Sequence, residues 1–281
     1  MKRFLIIPNE KKDKDLSLTA KVCGVLLKAG ATVLLDERYV HGGTDGVTFL
    51  AAGEVPEDVE CVITVGGDGT VLDASRMALR LGVPLLGINL GRLGYLSELE
   101  PADISRLTDL VKGDYTVRER MTLKVTLLRN QKAWVMPRLS VNDVVFYRSD
   151  IGHVVSLSLR QGEGEAITYL GDGLILSTPT GSTAYSLSAG GPILSASLDA
   201  ICATPICPHS FHNRAIVFDT AKPLLVENTS EDSAISVTMD GRENFLLEPG
   251  DAVTIERSSR TLQLISFRER NLLDILNQKM K

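Results

Sequence analysis

Asp68 stands among glycines in the stretch Gly66-Gly-Asp-Gly-Thr70, a setting in which a carboxylate can take part in chemistry. The apolar run Cys61–Val65 precedes this stretch, and apolar residues recur at helical spacing from Val71 to Leu79. This order predicts a buried strand, a glycine turn and a helix. The turn lies at the carboxyl end of the strand, where open α/β sheets bind ligands. Glycines let the backbone approach a phosphate closely and aim N–H groups at it.

A plain phosphate cradle does not need a carboxylate, because a carboxylate repels phosphate unless it holds a metal or accepts a proton. Asp68 therefore indicates chemistry as well as binding. A second interpretation stays open, in which the turn is structural and Asp68 caps the following helix. The chain has no Walker sequence, since no Gly-Lys pair is followed by Ser or Thr, and it has no protein-kinase signature.

A second stretch of interest runs from Gly171 to Ser188. Its strand Leu174–Leu176 leads to a turn in which Thr180 or Ser182 can cap a helix. Such a helix N-terminus offers donors to a phosphate or a ribose, and Asp172 can accept from an amide or a hydroxyl. The alternative is a structural turn with local Ser and Thr caps, which explains two or three hydroxyls but not eight. The eight hydroxyls belong to Ser177, Thr178, Thr180, Ser182, Thr183, Tyr185, Ser186 and Ser188.

Asn142 and Asp143 interrupt the apolar run from Leu139 to Phe146. Asn and Asp are depleted in strands, so the pair indicates either buried, hydrogen-bonded side chains at the edge of a pocket or a turn at the end of a strand. A purine amine together with a ribose diol would satisfy such side chains if they are buried.

The elements that position these residues change type along the chain. Phe4–Ile7, a helix ending near Ala29 and Thr32–Leu35 predict a β-α-β start and hence a parallel sheet, and Val40–Pro56 reads as a loop with a short helix. Val83–Ile88 predicts a further strand that leads into a second glycine-rich loop, Asn89–Leu96, and two such loops at one sheet edge make a ligand crevice. Pro101–Val111 predicts a short helix.

After a predicted linker at Arg118–Thr122, alternating strands indicate a β-sandwich-like domain, with Thr261–Ile265 counted among its strands. A final helix over Asn271–Asn277 is expected to pack back on the first domain. The predicted boundaries are therefore residues 1–117, with 268–281 returning to them, and residues 118–267.

Composition excludes several classes of protein. With 281 residues, 44% apolar and 23% charged, the chain is typical of a globular protein of two ordinary domains. A net charge of −5 and the lack of a basic run argue against a nucleic-acid partner, and no apolar run reaches membrane-spanning length. Cys23 and Cys61 lie in apolar surroundings, typical of free thiols in a reducing compartment, so we expect a cytoplasmic protein. Two further cysteines and two histidines cluster in a Pro-broken stretch that matches no usual zinc spacing, so free thiols with loop histidines are favoured over a structural zinc: Cys202, Cys207, His209 and His212.

Taken together, these motifs resemble those of the NAD kinase family. The first motif is shared with diacylglycerol-type lipid kinases and phosphofructokinases, whereas the long hydroxyl-rich stretch is far more specific. The resemblance implies α/β plus all-β architecture: a Rossmann-like N-terminal domain, a β-sandwich-like C-terminal domain and a C-terminal tail that returns to the first domain. It rests on Gly66–Thr70, Asn89–Leu96, Asn142-Asp143, Asp172–Pro192, Ile206–Ser210 and Asp240-Gly241.

The resemblance also implies an activity, namely transfer of a phosphoryl group from ATP, or in some members polyphosphate, to the adenosine-side ribose 2′-hydroxyl of NAD. A divalent metal, expected to be Mg²⁺, would offset charge on the phosphoryl group. The family commonly forms homodimers or homotetramers. The rivals are a lipid kinase of the diacylglycerol type, for which the chain shows no basic amphipathic helix, and a non-catalytic NAD(H) sensor.

By that resemblance Asp68 is the proton acceptor, while Asn142 and Asp143 hold the adenine and ribose of NAD. Asp172 lies by the nicotinamide amide. His153 and Leu170 fall where further ligand contacts are frequent. Leu170 replaces an arginine of some bacterial members and Arg242 stands where glutamine is frequent. Asp143 is a mild variant, since the family has Glu as often as Asp at that position. The resemblance assigns the phosphates and nucleotide to Gly67, Gly69, Thr70 and Tyr95, and the wrap around the ligand to Thr183, Ala184, Tyr185, Ser186, Leu187 and Ser188.

Overall fold

The computed structural model describes residues 1–40, 44–91, 94–150, 152–209, 213–268 and 272–279. Within these ranges the strands are β1 (Arg3–Pro8), β2 (Thr32–Asp36), β3 (Thr48–Leu50), β4 (Cys61–Gly66), β5 (Leu85–Asn89), β6 (Thr116–Arg120), β7 (Leu123–Arg129), β8 (Lys132–Val135), β9 (Asp143–Arg148), β10 (Val155–Gln161), β11 (Ile167–Gly171), β12 (Gly173–Ser177), β13 (Ala200–Ile206), β14 (Ile216–Asp219), β15 (Leu224–Asn228), β16 (Ile235–Met239), β17 (Glu243–Leu247), β18 (Ala252–Arg257) and β19 (Leu262–Ser266). The α-helices are α1 (Ser17–Lys28), α2 (Asp68–Leu81), α3 (Leu107–Lys112), α4 (Tyr185–Ser188) and α5 (Leu272–Lys279), and short 3₁₀ turns cover Glu37–Tyr39, Pro101–Arg106 and Gly181–Thr183.

The first compact unit comprises Met1–Glu119 and Leu262–Lys281 and is built on one seven-stranded sheet. Its strand order is β3-β2-β1-β4-β5-β19-β6, and the pairs from β3 to β19 are parallel. Every residue of β4 is buried, as expected for a central strand of a parallel sheet. The chain runs outward from β1 to β3 and then returns to place β4 on the other side of β1. The strand order therefore reverses between β1 and β4, the position at which such sheets bind ligands.

From the sequence, Asp15 or Ser17 is expected to cap helix α1, and the Asp15 carboxylate accepts a hydrogen bond from the Ser17 amide at 3.3 Å. The buried carboxylate of Asp13 also accepts hydrogen bonds from the amides of Leu18 and Thr19, at 3.2 and 2.9 Å. The cap residue by position is Leu16, whose φ of 52° is left-handed. Asp13 lies one turn earlier than the usual cap, and its carboxylate still accepts hydrogen bonds from two of the free amides of the first turn.

Two segments depart from the predicted domain organisation. Leu262–Ser266 pairs in parallel with β5 in the first sheet, although its alternating pattern predicts a strand of the second domain. The predicted linker overlaps β6, whose residues Thr116–Arg120 belong to the same sheet. An alternating pattern identifies a strand but says nothing about which sheet receives it. In the described part of Val40–Pro56 the structure has a short strand, β3, and no helix.

The second unit, Arg120–Thr261, is a β-sandwich. Its two six-stranded sheets have the orders β11-β10-β15-β18-β7-β8 and β14-β13-β12-β9-β16-β17. One apolar core takes side chains from both sheets, such as Val125 and Leu157 from one and Phe146 and Leu174 from the other. Alternating burial along β7, β10 and β16 explains why their sequences alternate. The structure thus confirms the predicted α/β plus all-β fold class, and α5 is assigned to the first unit.

In the described ranges, no helix combines the length and the apolar character needed to cross a membrane.

Candidate active site

The glycine turn joins β4 to α2 with little space to spare. Gly67 is the N-cap of α2 and Asp68 is its first residue. The hydroxyl of Thr70 accepts hydrogen bonds from the Asn9 side chain at 2.8 Å and from the Gly67 amide at 3.4 Å. A side chain at Gly66 would overlap Thr70, so only glycine fits there. Thr70, one of the predicted nucleotide-binding residues, is buried and braces the turn.

The carboxylate of Asp68 is held by the second glycine-rich loop. It accepts hydrogen bonds from the backbone amides of Tyr95 at 2.5 Å, Leu96 at 3.1 Å and Ser97 at 3.2 Å, and from the Ser97 hydroxyl at 3.0 Å. A Cβ added to Gly94 would overlap this carboxylate, so the loop can pack against Asp68 only with glycine at that position. The two loops therefore meet at one sheet edge, as the sequence predicted.

This arrangement bears on the two interpretations of Asp68. The carboxylate faces the loop Gly94–Ser97, and none of the described hydrogen bonds joins it to the amides of its own helix, so the capping interpretation is not what the structure shows. Four donors fix the orientation of the carboxylate. A substrate hydroxyl that approaches Asp68 has to share the carboxylate with these donors or displace one of them.

Tyr95 stands beside this carboxylate and is half-buried. Burial raises the pKa of its hydroxyl, and the negative charge of Asp68 raises it further. Its ring hydroxyl is therefore neutral at physiological pH and can donate a hydrogen bond. Asn89, buried at the end of β5, donates from its side chain to the Gly91 carbonyl at 2.8 Å and orders the start of the same loop.

In the second unit, Asn142 and Asp143 lie in a turn held by Asp240. The Asp240 carboxylate accepts hydrogen bonds from the amides of Val141 at 2.9 Å, Asn142 at 2.8 Å and Asp143 at 3.2 Å. Asp240 itself has a left-handed φ of 52°, which aspartate tolerates better than most residues. The turn is thus fixed by a residue about a hundred positions further along the chain.

Asp143 is the first residue of β9 and is only 6% exposed. It faces Ser177 directly across the β9–β12 pair, so the two side chains share one face of the sheet. The Ser177 hydroxyl is buried and has no hydrogen-bond partner among the described residues. Burial, and then the nearby charge of Asp240, raise the pKa of Asp143 to about 7. A neutral or charged carboxyl at this position can therefore donate to or accept from a ligand near neutral pH.

Hydrogen bonds join the hydroxyl-rich stretch to the turn at Asn142. Thr178 donates from its hydroxyl to the Val141 carbonyl at 2.7 Å and from its amide to the Asn142 carbonyl at 2.8 Å. A Cβ at Gly181 would overlap that same Asn142 carbonyl. The structure therefore brings Asn142, Asp143 and the segment after Thr178 together, although nearly forty residues of sequence separate them.

More of the hydroxyls have structural partners than the sequence suggested. Ser182 donates to the Pro179 carbonyl at 2.6 Å, and Thr183 donates to the Thr180 carbonyl at 3.1 Å. Ser186 is fully buried and shares a 2.9 Å hydrogen bond with Thr204, so its hydroxyl has a structural partner inside the second unit. The predicted helix is also shorter than expected, a 3₁₀ turn followed by the single turn α4. Tyr185, Leu187 and Ser188 are exposed, and Thr183 and Ala184 are half-exposed.

Tyr185 lies near enough to two carboxylates to feel their charge. Burial is the main cause that raises the pKa of its hydroxyl, and the charges of Asp143 and Asp172 add to the effect. Asp172 forms an ion pair with Arg148 at 3.1 Å, a partner that the sequence did not indicate. The Arg148 amide also donates to the Asp172 carbonyl at 3.0 Å, so Asp172 is fixed in both its backbone and its side chain.

The remaining predicted site residues lie elsewhere in the second unit. His153 and Leu170 are exposed and line a cavity of about 650 Å³ together with acidic groups that include Glu231. Among the described residues, the lining of that cavity does not include Asn142 or the segment from Thr183 to Ser188. Arg242 is exposed next to the Asp240 turn.

The cysteines of the zinc alternative have different surroundings. Cys202 is buried on β13 with its sulfur 3.5 Å from the Thr204 hydroxyl, and Cys207 is exposed. His212 lies outside the described residues. Within the described ranges no group of three His, Cys, Asp or Glu side chains could hold a metal ion.

Several residues of the two clusters were not singled out from the sequence. Ser97, Gly94 and Lys12 contact the glycine turn or Asp68, and Ser177 and Arg148 contact or face the predicted residues of the second unit. Asp240 was noted only as part of a motif. The signal available for Gly94 was its place in the second glycine-rich loop, which Ser97 directly follows. The contacts of Asp240 and Arg148 have no local signal, because their partners are distant in sequence.

Comparison with known proteins gives the same family over both units. Residues 4–115 match the family model described as ATP-NAD kinase N-terminal domain, and residues 141–267 match the one described as ATP-NAD kinase C-terminal domain. An NAD kinase of Geobacter sulfurreducens is 39% identical, over all of this chain and 99% of its own length. An NAD kinase of Natranaerobius thermophilus is 36% identical, over all of this chain and 98% of its own.

Two solved structures share the fold. The crystal structure of yeast NADH kinase complexed with NADH matches with a TM-score of 0.85 and 22% identity, covering all of this chain and 87% of that one. The crystal structure of an NAD kinase from Archaeoglobus fulgidus in complex with ATP matches with a TM-score of 0.73 and 23% identity, covering 98% of this chain and 96% of that one. At these identities the two structures support the architecture described above.

Proposed function

Since the chain belongs to the NAD kinase family, we propose that it transfers the γ-phosphoryl group of ATP to the 2′-hydroxyl of the adenosine ribose of NAD and so makes NADP. The observation that carries the proposal is the carboxylate of Asp68, placed at the first residue of α2 and oriented by the loop Gly94–Ser97. The full-length relatives favour this activity over a lipid kinase of the diacylglycerol type.

In this proposal Asp68 accepts the proton of the ribose hydroxyl as that oxygen attacks the phosphorus. A ribose hydroxyl is a weak nucleophile, and a positioned base is worth about 10²- to 10⁴-fold in rate. The bonds from Tyr95, Leu96 and Ser97 hold the carboxylate still, so that little reorganisation is needed when the hydroxyl arrives.

The glycine turn binds the phosphates of ATP. Gly67, Gly69 and Thr70 begin α2, where free amides and the helix dipole favour negative charge. Because the Asp68 carboxylate is taken up by four donors, we expect a divalent cation such as Mg²⁺ to be carried by the ATP phosphates and water rather than by a protein cage. When bound, the cation offsets charge on the phosphoryl group.

The NAD side of the proposal uses the second unit. Asn142 and Asp143 recognise the adenine and ribose, since Asp240 fixes their backbone amides and Asp143 is a buried carboxyl that forms no ion pair among the described residues. Asp172 accepts from the nicotinamide amide. The exposed face of Thr183–Ser188, with Ala184 and Leu187 as apolar contacts, covers the ligand; Ser186 supports this segment from inside. Tyr95 completes the nucleotide-binding set in the first unit, and His153, Leu170 and Arg242 are retained as peripheral contacts.

The experiment is a direct assay of the purified protein with NAD, ATP and Mg²⁺, in which NADP is measured by a coupled dehydrogenase. We expect NADP formation that depends on all three components. Binding of NAD without any NADP would instead indicate a sensor and overturn the proposal. Parallel reactions with NADH in place of NAD, or polyphosphate in place of ATP, define the range of acceptors and donors. Sedimentation with diacylglycerol-containing vesicles tests the lipid-kinase alternative. Co-sedimentation together with phosphorylation of the lipid would support that alternative.

We further propose, from the family alone, a cytoplasmic protein that assembles as a homodimer or homotetramer and needs neither nucleic acid nor membrane. Light scattering after size-exclusion chromatography measures the assembly directly. A monomer across the concentrations used for the assay would contradict this part of the proposal without affecting the proposed reaction.

A further inference from the structure

The loop after β1 is anchored to the glycine turn. The Asn9 amide donates to the Val65 carbonyl at 2.8 Å, and the Asn9 side chain donates to the Thr70 hydroxyl at 2.8 Å. The amides of Lys12 and Asp13 in turn donate to the Asn9 carbonyl at 3.0 and 2.8 Å. This loop is therefore part of the same rigid assembly as the turn between β4 and α2, although more than fifty residues separate them in sequence.

The ammonium of Lys12 lies on the bare face of Gly67. It stands 2.5 Å from the point that a Cβ of Gly67 would occupy, and the side-chain oxygen of Asn89 lies 3.5 Å from the same point. Glycine at position 67 is thus what makes room for the cation. Lys12 is exposed, and its ammonium has no ion pair with any carboxylate in the described part of the chain.

Lys12 follows a strand end at the edge of the sheet where ligands are expected to bind. β1 and β4 are the neighbouring strands between which the strand order reverses, and their carboxyl ends carry Lys12 and Gly67 respectively. The N-terminus of α2, a helix of 14 residues, adds free amides and the positive end of its dipole at the same place. An ammonium without a carboxylate partner, beside backbone amides at a ligand-binding edge, matches the chemistry of a phosphate chain.

We infer that Lys12 is a phosphate-binding residue for the nucleoside triphosphate donor, contacting its terminal phosphates while they lie on the glycine turn. The inference rests on the proposed function for the identity of the donor. It extends that function by assigning a lysine that no motif marks. Lys12 offsets negative charge on the triphosphate in both the bound substrate and the transition state, a role that suits the point charge of an ammonium.

The substitution Lys12→Ala tests the inference. We expect kcat/KM for ATP to fall about 10- to 100-fold, the loss usual for one hydrogen bond to a charged group, while KM for NAD stays within about twofold. Lys12→Arg should recover only part of the loss, because the larger guanidinium fits poorly in the space over Gly67. Lys11→Ala and Lys14→Ala are the matched controls, since they remove the same charge from the same exposed loop and should leave kcat/KM for ATP nearly unchanged.

A binding measurement separates this inference from the proposed function. Titration calorimetry with ATP, and with inorganic tripolyphosphate, is run in the absence of NAD for the full-length protein and the three alanine variants. If Lys12→Ala binds both ATP and tripolyphosphate more weakly than the other variants do, the inference is supported, even if the unaltered protein makes no NADP. Absence of NADP formation would contradict only the proposed function. Equal binding and equal kcat/KM for Lys12→Ala and its two controls would overturn the inference, whether or not NADP is formed.

Discussion

The Asp240 carboxylate accepts a hydrogen bond from the backbone amide of Asn142 at 2.8 Å. Asp240 itself has a left-handed backbone conformation and directly follows β16. The same carboxylate accepts the amides of Val141 and Asp143, so one side chain orders the whole turn in which the proposed NAD-binding residues lie. Asp240 touches no proposed ligand itself and is a positioning residue.

Replacement of Asp240 by Ala should therefore loosen the turn rather than abolish chemistry. We expect the free energy of unfolding to fall by about 1–3 kcal/mol, since amides lose a charged acceptor. KM for NAD should rise at least tenfold while KM for ATP stays within twofold. Urea denaturation and steady-state kinetics measure the two effects. An equal rise in both KM values would argue that Asp240 supports the fold in general and not this turn.

Replacement of Asp68 by Asn should remove most turnover and keep NAD binding. The carboxamide is similar in size but cannot take up the proton of the ribose hydroxyl, so kcat should fall by about 10²- to 10⁴-fold. Equilibrium binding of NAD, followed by calorimetry, is the companion measurement. Ser97→Ala is the control, because it removes one of the donors to Asp68 and leaves the carboxylate in place. Near-normal turnover of the Asn variant would remove Asp68 as the base.

Gly94 provides a steric test of how the two loops meet. A methyl group at this position would overlap the Asp68 carboxylate, so Gly94→Ala must move either the loop or the carboxylate. We expect kcat to fall at least tenfold in a variant that still folds, as judged by circular dichroism. Gly24→Ala is the matched control, because no atom lies within 4 Å of its added Cβ in the middle of α1. That control should stabilise the protein by about 0.5–1 kcal/mol, the usual difference between alanine and glycine inside a helix. Full activity of Gly94→Ala would contradict the contact between the loops.

The buried Asp143 predicts a pH dependence of stability. Its pKa in the folded protein is raised to about 7, whereas an aspartate in an unfolded chain titrates near pH 4. Between these values the unfolded state has released the proton and the folded state still holds it. Stability should therefore fall as the pH rises from about 4 to about 7 and show no further loss from this group above that range.

The measurement for Asp143 is a comparison of variants across that pH range. Asp143→Asn cannot ionise, so its free energy of unfolding relative to the unaltered protein should rise steadily between pH 4 and 7. Glu163→Gln, at an exposed position of the same unit, is the control for removal of one acidic group. A constant difference between Asp143→Asn and the unaltered protein would show that Asp143 is not a titrating group in this window.

Local sequence patterns were sufficient for much of the fold. The strand, turn and helix around Asp68 were predicted within a residue or two. The reason is that the apolar run of β4 and the helical spacing of α2 are both patterns among residues close together in sequence. What failed was information that depends on distant partners. Leu262–Ser266 alternates like a sandwich strand, yet Ile265 packs in the core of the first unit. Ser186 looks like any other hydroxyl of its stretch until its partner Thr204 is known.

The same limit applies to the candidate site. The glycine turn, Asn142 and Asp143 were recognisable from residue types, since glycines after a strand and acids within an apolar run are unusual. Lys12 and Ser97 were not, because each acts on a group that is tens of residues away and each has an unremarkable local sequence. Asp240 was recognised as part of a motif, but its contact with the Asn142 amide depends on a distant partner. A single sequence contains the partners but does not say which of them meet.

The position of β19 between β5 and β6 has a consequence for biosynthesis. A nascent chain that has emerged from the ribosome as far as Arg120 already contains the strands on either side, but the strand that separates them is still to be translated. The whole second unit is therefore synthesised before the first sheet can be completed. Until β19 is translated, β5 and β6 lack the strand that lies between them.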